Sequence, residues 1–363
     1  MKISFPRMGN SHIAFKMLIN NLGHEVIVPP APSKQTLDLG VRHSPEFACI
    51  PFKILMGTYL ETIAMGAEMQ ITSGGVGPCR AGYYGVLHQK ILNDLGHDVK
   101  VMVIEPPRKD KYGLFKNIRT VIKPTRIGWR AFWHHLKTAW KKLVALDEIE
   151  RILHRVRPYE LVSGETTKNY KKALRMLDEA RNQEEIAAAR VEGERLLRGV
   201  PCDFSKPVLK VGLIGEIYVL IEPFANYDIE ATLASMGAEP RRSIYISGYT
   251  KDSYVSHGVH DARKAAVPYL NQLIGGHGLD SVGETVLMAE NGFDGVIQVA
   301  PFSCIPEIVV KSILPRVSSD LGIPVMTLFI DEQTGKAGIQ TRLEAFVDLL
   351  WQRRRKREAK SVV

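Results

Sequence analysis

Cysteine is scarce in this chain. Among 363 residues there are four, at positions 49, 79, 202 and 304, and no C-x-x-C pair occurs. That spacing excludes a disulfide-stapled scaffold and the close ligand pairs of a structural zinc module. Long apolar runs are missing too, since no stretch approaches the roughly 20 residues of a membrane span. The opening, MKISFPRMGNSHIAFKML, lacks the uninterrupted apolar region and cleavage site of a signal peptide. No G-x-x-x-x-G-K-[ST] occurs, and no clean G-x-G-x-x-G. These absences predict a cytoplasmic protein with no membrane partner and no ATP-binding loop. What is present, 45% hydrophobic and 24% charged residues, is ordinary globular composition. The length is enough for two or three modules.

The net charge of +9 is concentrated. Residues 108–142 hold eleven Lys/Arg and one acid, Asp110, which makes that segment alone +10. It also carries Trp129, Trp133 and Trp140. One reading is a solvated helix face with its tryptophans turned inward. A contact to phosphate or to an acidic partner is another, and nucleic acid a third, with no nucleic-acid-binding motif to support it.

Residues 1–107 alternate short apolar strands with helical patterns. MKISFPRM, HEVIVPP, MQITSGGVG and HDVKVMVIEPP read as strands. Helices are predicted over 11–22 with Ser11 as N-cap, after Ser33, over 52–65 and over 82–95, with stops at Gly23 and Gly96. Residues 108–205 read as a basic helical module and a linker. Residues 206–363 return to strands and helices: VLKVGLIGEIYV, RRSIYIS, FDGVIQVAPF and IPVMTLFID as strands, and 225–236, 280–291, 306–321 and 338–358 as helices. Such alternation predicts an α/β fold with two doubly wound parallel lobes and a helical middle module.

The pentapeptide F-x-C-I-P occurs twice, as Phe47–Pro51 and Phe302–Pro306. Both copies precede a predicted helix, where the helix dipole favours a thiolate. The expectation is two similar domains, each presenting a cysteine from the same type of loop. Cys79, in ITSGGVGPCRAGYYG, has the same setting, and Gly74, Gly75 and Gly77 allow close backbone approach. Three thiolates from strand-end loops suit an iron–sulfur cluster or zinc; unrelated buried thiols are the third option. Cys202 sits in the linker and lacks that setting.

The segments RHSPEFACIPFKILMGTYLE, TSGGVGPCRAGYYG, GLIGEIYV, FDGVIQVAPFSCIPEIV and IDEQTGKAGIQTRLEAF resemble the CoA protein activase, or activase-related, proteins. These belong to the 2-hydroxyacyl-CoA dehydratase superfamily, with the 2-hydroxyglutaryl-CoA dehydratase and benzoyl-CoA reductase subunits. The resemblance covers nearly all of both α/β modules and is least in the basic helices. It implies two flavodoxin-like lobes and a single [4Fe–4S] cluster on Cys49, Cys79 and Cys304, with Cys202 left out. It also implies a separate ATP-dependent activase, an ASKHA-type ATPase, that drives one electron into the cluster for transfer to an acyl-CoA thioester. Paired subunits, homologous or identical, are implied as well. The alternative is a non-catalytic electron-transfer or scaffold partner of that ATPase.

Around these cysteines stand further candidates. Glu307 is either a first-turn acid or a proton carrier. Lys53 and Arg80 either offset cluster charge or pair and cap locally. Glu216 and Tyr218 follow the second lobe's first strand, where ligands of α/β sheets sit. His277 reads as a surface loop residue, and Asp331, Glu332 and Thr334 as an acidic loop open to substrate or partner.

Overall fold

The computed structural model describes residues 1–75, 78–107, 109–254 and 260–361. Gly77 and Arg108, named above, lie outside them. The chain divides into two compact units: Met1–Asp147 with Met176–Arg190 and Ile246–Gly258, and Glu148–Arg175 with Val191–Tyr245 and Val259–Val363.

Unit 1 begins β1 (Lys2–Ser4), α1 (His12–Asn21), β2 (Glu25–Val26), α2 (Lys34–His43) and α3 (Ile50–Ala64). It continues through β3 (Met69–Ser73), α4 (Tyr84–Asp94), β4 (Lys100–Ile104) and α5 (Lys111–Ile122) into α6 (Trp129–Val156). Its sheet is parallel, in the order β2-β1-β3-β4. Ile3 lies opposite Val26 on one side and Met69 on the other. Ile3, Met69 and Met102 bury against Ile19 of α1 and Leu22 just after it, Val121 and Ile122 of α5, and Phe132 of α6. Helices on a parallel sheet are what alternating strand and helix patterns require.

Two further helices, α7 (Glu165–Glu179) and α8 (Gln183–Arg198), run through both units, as α6 does. Unit 2 then builds β5 (Leu209–Gly215), α9 (Ile217–Ile221), α10 (Pro223–Asn226), α11 (Ile229–Ser235) and β6 (Ala238–Arg242). After α12 (Ile246–Tyr254), which belongs to unit 1, come α13 (His260–Ala266), α14 (Gly278–Glu290), β7 (Gly295–Pro301), α15 (Ile305–Leu321), β8 (Val325–Ile330) and α16 (Lys336–Ser361). The second sheet is parallel, in the order β6-β5-β7-β8. Every residue of β7 is buried, as a central strand of a covered parallel sheet must be.

The helix-stop glycines Gly23 and Gly96 adopt positive φ directly after their helices. Ser33 caps α2 through a reciprocal pair with Thr36. Ser11 stands at the N-cap of α1, but its side chain makes no cap hydrogen bond; its hydroxyl donates to Met8 O at 2.7 Å. RRSIYIS is not a strand. The strand is AEPRR, and Ile246 starts a helix where Ser247 N–H donates to Asp147 at 2.7 Å. The helix expected over 225–236 is broken by left-handed Tyr227 and Asp228. The tryptophans of the basic segment do not all turn inward: Trp129 and Trp133 are exposed, and Phe132 faces the core instead. Among the described residues, no helix is long and apolar enough to cross a membrane.

Candidate functional site

In each sheet the chain places its third strand on the far side of its first, so the strand order reverses between β1 and β3 and between β5 and β7. Crevices at the carboxyl ends of such strand pairs are where α/β proteins bind ligands. Cys79 follows β3 and Cys304 follows β7, so these two are topological equivalents. Cys49 is not at a strand end. It lies in the connection between α2 and α3, which corrects the expectation that both F-x-C-I-P copies occupy the same type of loop. What the copies share is smaller in scale. In each, Cys is the extended N-cap, Ile the first helical residue and Pro the second, where proline's missing N–H has no helical partner to lose.

One corner of unit 1 joins the Cys49 and Cys79 connections. Cys79 caps the 3-10 turn Arg80–Tyr83 that leads into α4. Arg80 Nη1 donates to Phe47 O at 3.2 Å, two residues before Cys49. Tyr84, the first residue of α4, brings its hydroxyl onto Cys49 Sγ. The Phe52 ring packs edge-on against Tyr84 at 5.0 Å and stacks on His88 at 4.0 Å. His88 Nε2 donates to Phe52 O at 3.1 Å. Burial lowers its pKa to about 4, so the ring stays neutral. Lys53 is buried, and its ammonium donates to Glu46 O at 3.0 Å, a cation one helical turn from Cys49. The glycines serve packing inside the loop: a Cβ on Gly74 would stand 2.0 Å from Glu105 Oε2, and one on Gly82 2.9 Å from Gly75 O.

Unit 2 gathers a different set. Gly215 takes φ +135°, and a Cβ there would stand 2.0 Å from Val299 O. This close approach sends the chain into Glu216, which caps α9 by accepting from Val219 N–H at 3.1 Å. Tyr218 is buried in the next turn. After β7, Ser303 turns left-handed at φ 67°, and Cys304 N–H donates to Pro301 O at 3.1 Å. Glu307 is the acid in the first turn of α15, and it is buried, 1% exposed. Its carboxyl accepts from Gln298 Nε2 at 2.8 Å and from Ser281 Oγ at 3.3 Å, while Gln298 Oε1 accepts from Thr327 of β8 at 2.8 Å. Burial pushes Glu307 up to about 7, against the hydrogen bonds of Gln298 and Ser281 and with help from the charge of Glu216. Burial likewise pushes Glu216 to about 7. Two carboxyls that favour a proton near neutrality therefore flank the β5–β7 crevice.

His277 is half-buried at the N-cap of α14, and burial lowers its pKa. Asp331 and Thr334 close on one another at 2.8 Å, and the Tyr227 hydroxyl donates to Thr334 O. Cys202 pairs in an isolated bridge with Glu160, and burial raises its thiol pKa. Tyr84, Gln298 and Ser281 carry no signal in the sequence that marks them for this role. Tyr84 stands five positions after Cys79, yet its partner Cys49 is 35 positions away, a separation no local pattern reports. Among the described residues, no three Cys, His, Asp or Glu side chains form a ready metal site. Compared with family models and with curated proteins, the chain matches none.

Proposed function

We propose that this chain is the iron–sulfur subunit of a 2-hydroxyacyl-CoA dehydratase-like or reductase-like system. In this reading its two sheets are flavodoxin-like lobes, and it takes a low-potential electron from a separate ATP-dependent activase. It works as a homodimer or beside a homologous second subunit on an acyl-CoA-type substrate. The observation that carries the reading is the corner of unit 1 where the Cys49 and Cys79 connections are tied together by Arg80 and Tyr84. Cys304 takes the same helix-capping position in unit 2. Three thiols at helix N-termini, without a close pair, fit a single [4Fe–4S] cluster better than zinc.

Held by Cys49, Cys79 and Cys304, such a cluster would supply a one-electron reductant. The chain's own residues do the rest. Cys49 and Cys304 stand at the N-caps of α3 and α15, and Cys79 at the N-cap of the turn leading into α4; these are the residues that would hold the cluster. The Tyr84 hydroxyl meets Cys49 Sγ and would donate to it as a thiolate, the kind of outer-shell contact that orients a ligand. Lys53 and Arg80 fix the Cys49 connection through backbone carbonyls. Glu307 and Glu216 hold protons near neutral pH at the crevice Cys304 enters, which favours an enzyme over a simple electron relay. Iron and acid-labile sulfide, measured on protein purified without oxygen, test the reading. About four irons per chain, lost in Cys79→Ala and in Cys304→Ala, are expected. Folded, oxygen-free protein with no iron would sink it.

A further inference from the structure

The basic segment of unit 1 carries an exposed aromatic ridge that no part of the proposed function uses. Tyr112 is 91% exposed and Trp133 57% exposed. Between them stand Phe115 and Trp129, both exposed, with their rings stacked at 4.8 Å and 12°. Helical spacing makes this continuous. Tyr112 and Phe115 are neighbours on α5, Trp129 and Trp133 are neighbours on α6, and the Phe115–Trp129 stack joins the two helices. The cores of both helices are already satisfied by other residues, among them Val121, Ile122 and Phe132.

Cations flank the ridge. Lys116 and Arg119 follow Tyr112 by one and two turns on α5, and Arg130 and Lys137 accompany Trp133 on α6; all four are exposed. Among the described residues none of the four pairs with a carboxylate. The segment's single acid, Asp110, accepts from Gly113 N–H at 2.7 Å to cap α5. With the segment at +10 and the chain at +9, the remaining residues sum to −1. The net positive charge of the chain therefore resides in this one segment.

The expectation of no membrane partner rests on the lack of a spanning segment, which a surface contact does not need. We propose that this ridge docks the protein on an anionic phospholipid surface, with the rings at headgroup depth and the cations among the headgroups. Tryptophan and tyrosine favour the membrane–water interface, and lysine and arginine beside them add electrostatic attraction to anionic lipid. The ring geometry argues against nucleic acid. Phe115 and Trp129 each turn one face onto the other, which leaves that pair fewer open faces for bases. Aromatic residues and arginine are enriched in protein interfaces as well, so an acidic polypeptide is the competing occupant, and the test below separates the two. This inference is independent of the iron–sulfur reading.

The test uses the full chain with two kinds of vesicle: phosphatidylcholine alone, and phosphatidylcholine with phosphatidylglycerol in a roughly two-to-one ratio. Co-sedimentation and a blue shift of tryptophan emission are expected with the anionic vesicles only. Raising salt from low ionic strength to about 0.5 M should weaken binding severalfold on the unaltered chain, without any variant. The double variant Lys116→Glu/Arg119→Glu, checked by circular dichroism, should bind at least about tenfold more weakly. Equal binding to both vesicles, or none to either, overturns the proposal. So does tight binding to a single-stranded oligonucleotide or an acidic polypeptide with no vesicle binding, which would give the ridge to that partner.

Discussion

Arg242 ends β6 with its side chain 1% exposed, its guanidinium paired with Glu150 and standing 3.1 Å from Glu230. Tyr245 covers it, with the ring centre 4.6 Å from the guanidinium carbon. Burial lowers its pKa, but Glu150 and Glu230 more than offset that and hold it well above the ordinary value. Arg242→Ala would leave two partly buried carboxylates without their cation, so a loss of about 3 kcal/mol in urea unfolding is expected near neutral pH. The loss should shrink on acidification, because the stranded groups can then take up protons. A loss that is the same at both pH values would show that packing, not charge, is what Arg242 contributes. Glu307 responds in the opposite sense from an ordinary salt-bridged acid. Its folded pKa is raised from 4.5 to about 7, so its contribution is fully present at low pH and declines as pH climbs through that window. In Glu307→Gln the amide can still accept from Gln298 and donate to Ser281, with no charge to bury. At about pH 8 the variant should be more stable than the parent by on the order of 2 kcal/mol, with little difference at about pH 5. Urea midpoints at the two pH values decide this. The buried acid was visible in the sequence as a first-turn glutamate. Its partners were not, because Ser281 and Gln298 come from another helix and from a strand.

At the scale of elements, two helix pairs are fixed by contact closer than any side chain permits. A Cβ on Gly57 of α3 would stand 1.8 Å from Thr36 O, and one on Gly40 of α2 would stand 1.7 Å from Lys53 O. In unit 2, a Cβ on Gly283 of α14 would stand 1.6 Å from Ala262 O of α13. Backbone cannot yield as a flexible side chain can, so Gly57→Ala must push α2 and α3 apart. A loss of about 3 kcal/mol or more is expected. Gly338 in the first turns of α16 has nothing within 4 Å, and Gly338→Ala should stabilise by about 0.5–1 kcal/mol from helix propensity alone. Thermal unfolding of the two variants should therefore move in opposite directions; similar shifts would contradict the close-packing account. Helices were legible because glycine stops, caps and prolines are local signals. RRSIYIS misled because β-branched and aromatic residues favour a strand on propensity. The buried Arg242 network and the Asp147 contact with Ser247 settle that boundary, and both depend on residues about 100 positions away.

For the whole molecule, the alternation of strand and helix was enough to foresee two parallel sheets, since only crossover helices connect parallel neighbours. Which unit the helical middle joins was not readable, because amphipathic periodicity shows that a face is buried and not what buries it. The helices α6, α7 and α8 run through both units. Phe132, early in α6, packs into the core of unit 1. Ile149 and Leu153, late in α6, are buried in unit 2, where Glu150 also meets Arg242. A fragment of residues 206–363 therefore keeps all four strands of its sheet but loses the residues that cover one flank. Arg242 would remain with Glu230 alone, and Tyr245 would lose the Arg151 guanidinium that stands 3.9 Å from its ring centre. The uncovered core and the half-paired arginine act in the same direction. The fragment should unfold in urea over a broad, weakly cooperative range, with a slope below that of the full chain. A sharp transition at the midpoint of the full chain would mean that the helical residues are an addition and not part of the second unit. Restoring residues 148–175 and 191–205 should return cooperativity if their helices complete that core.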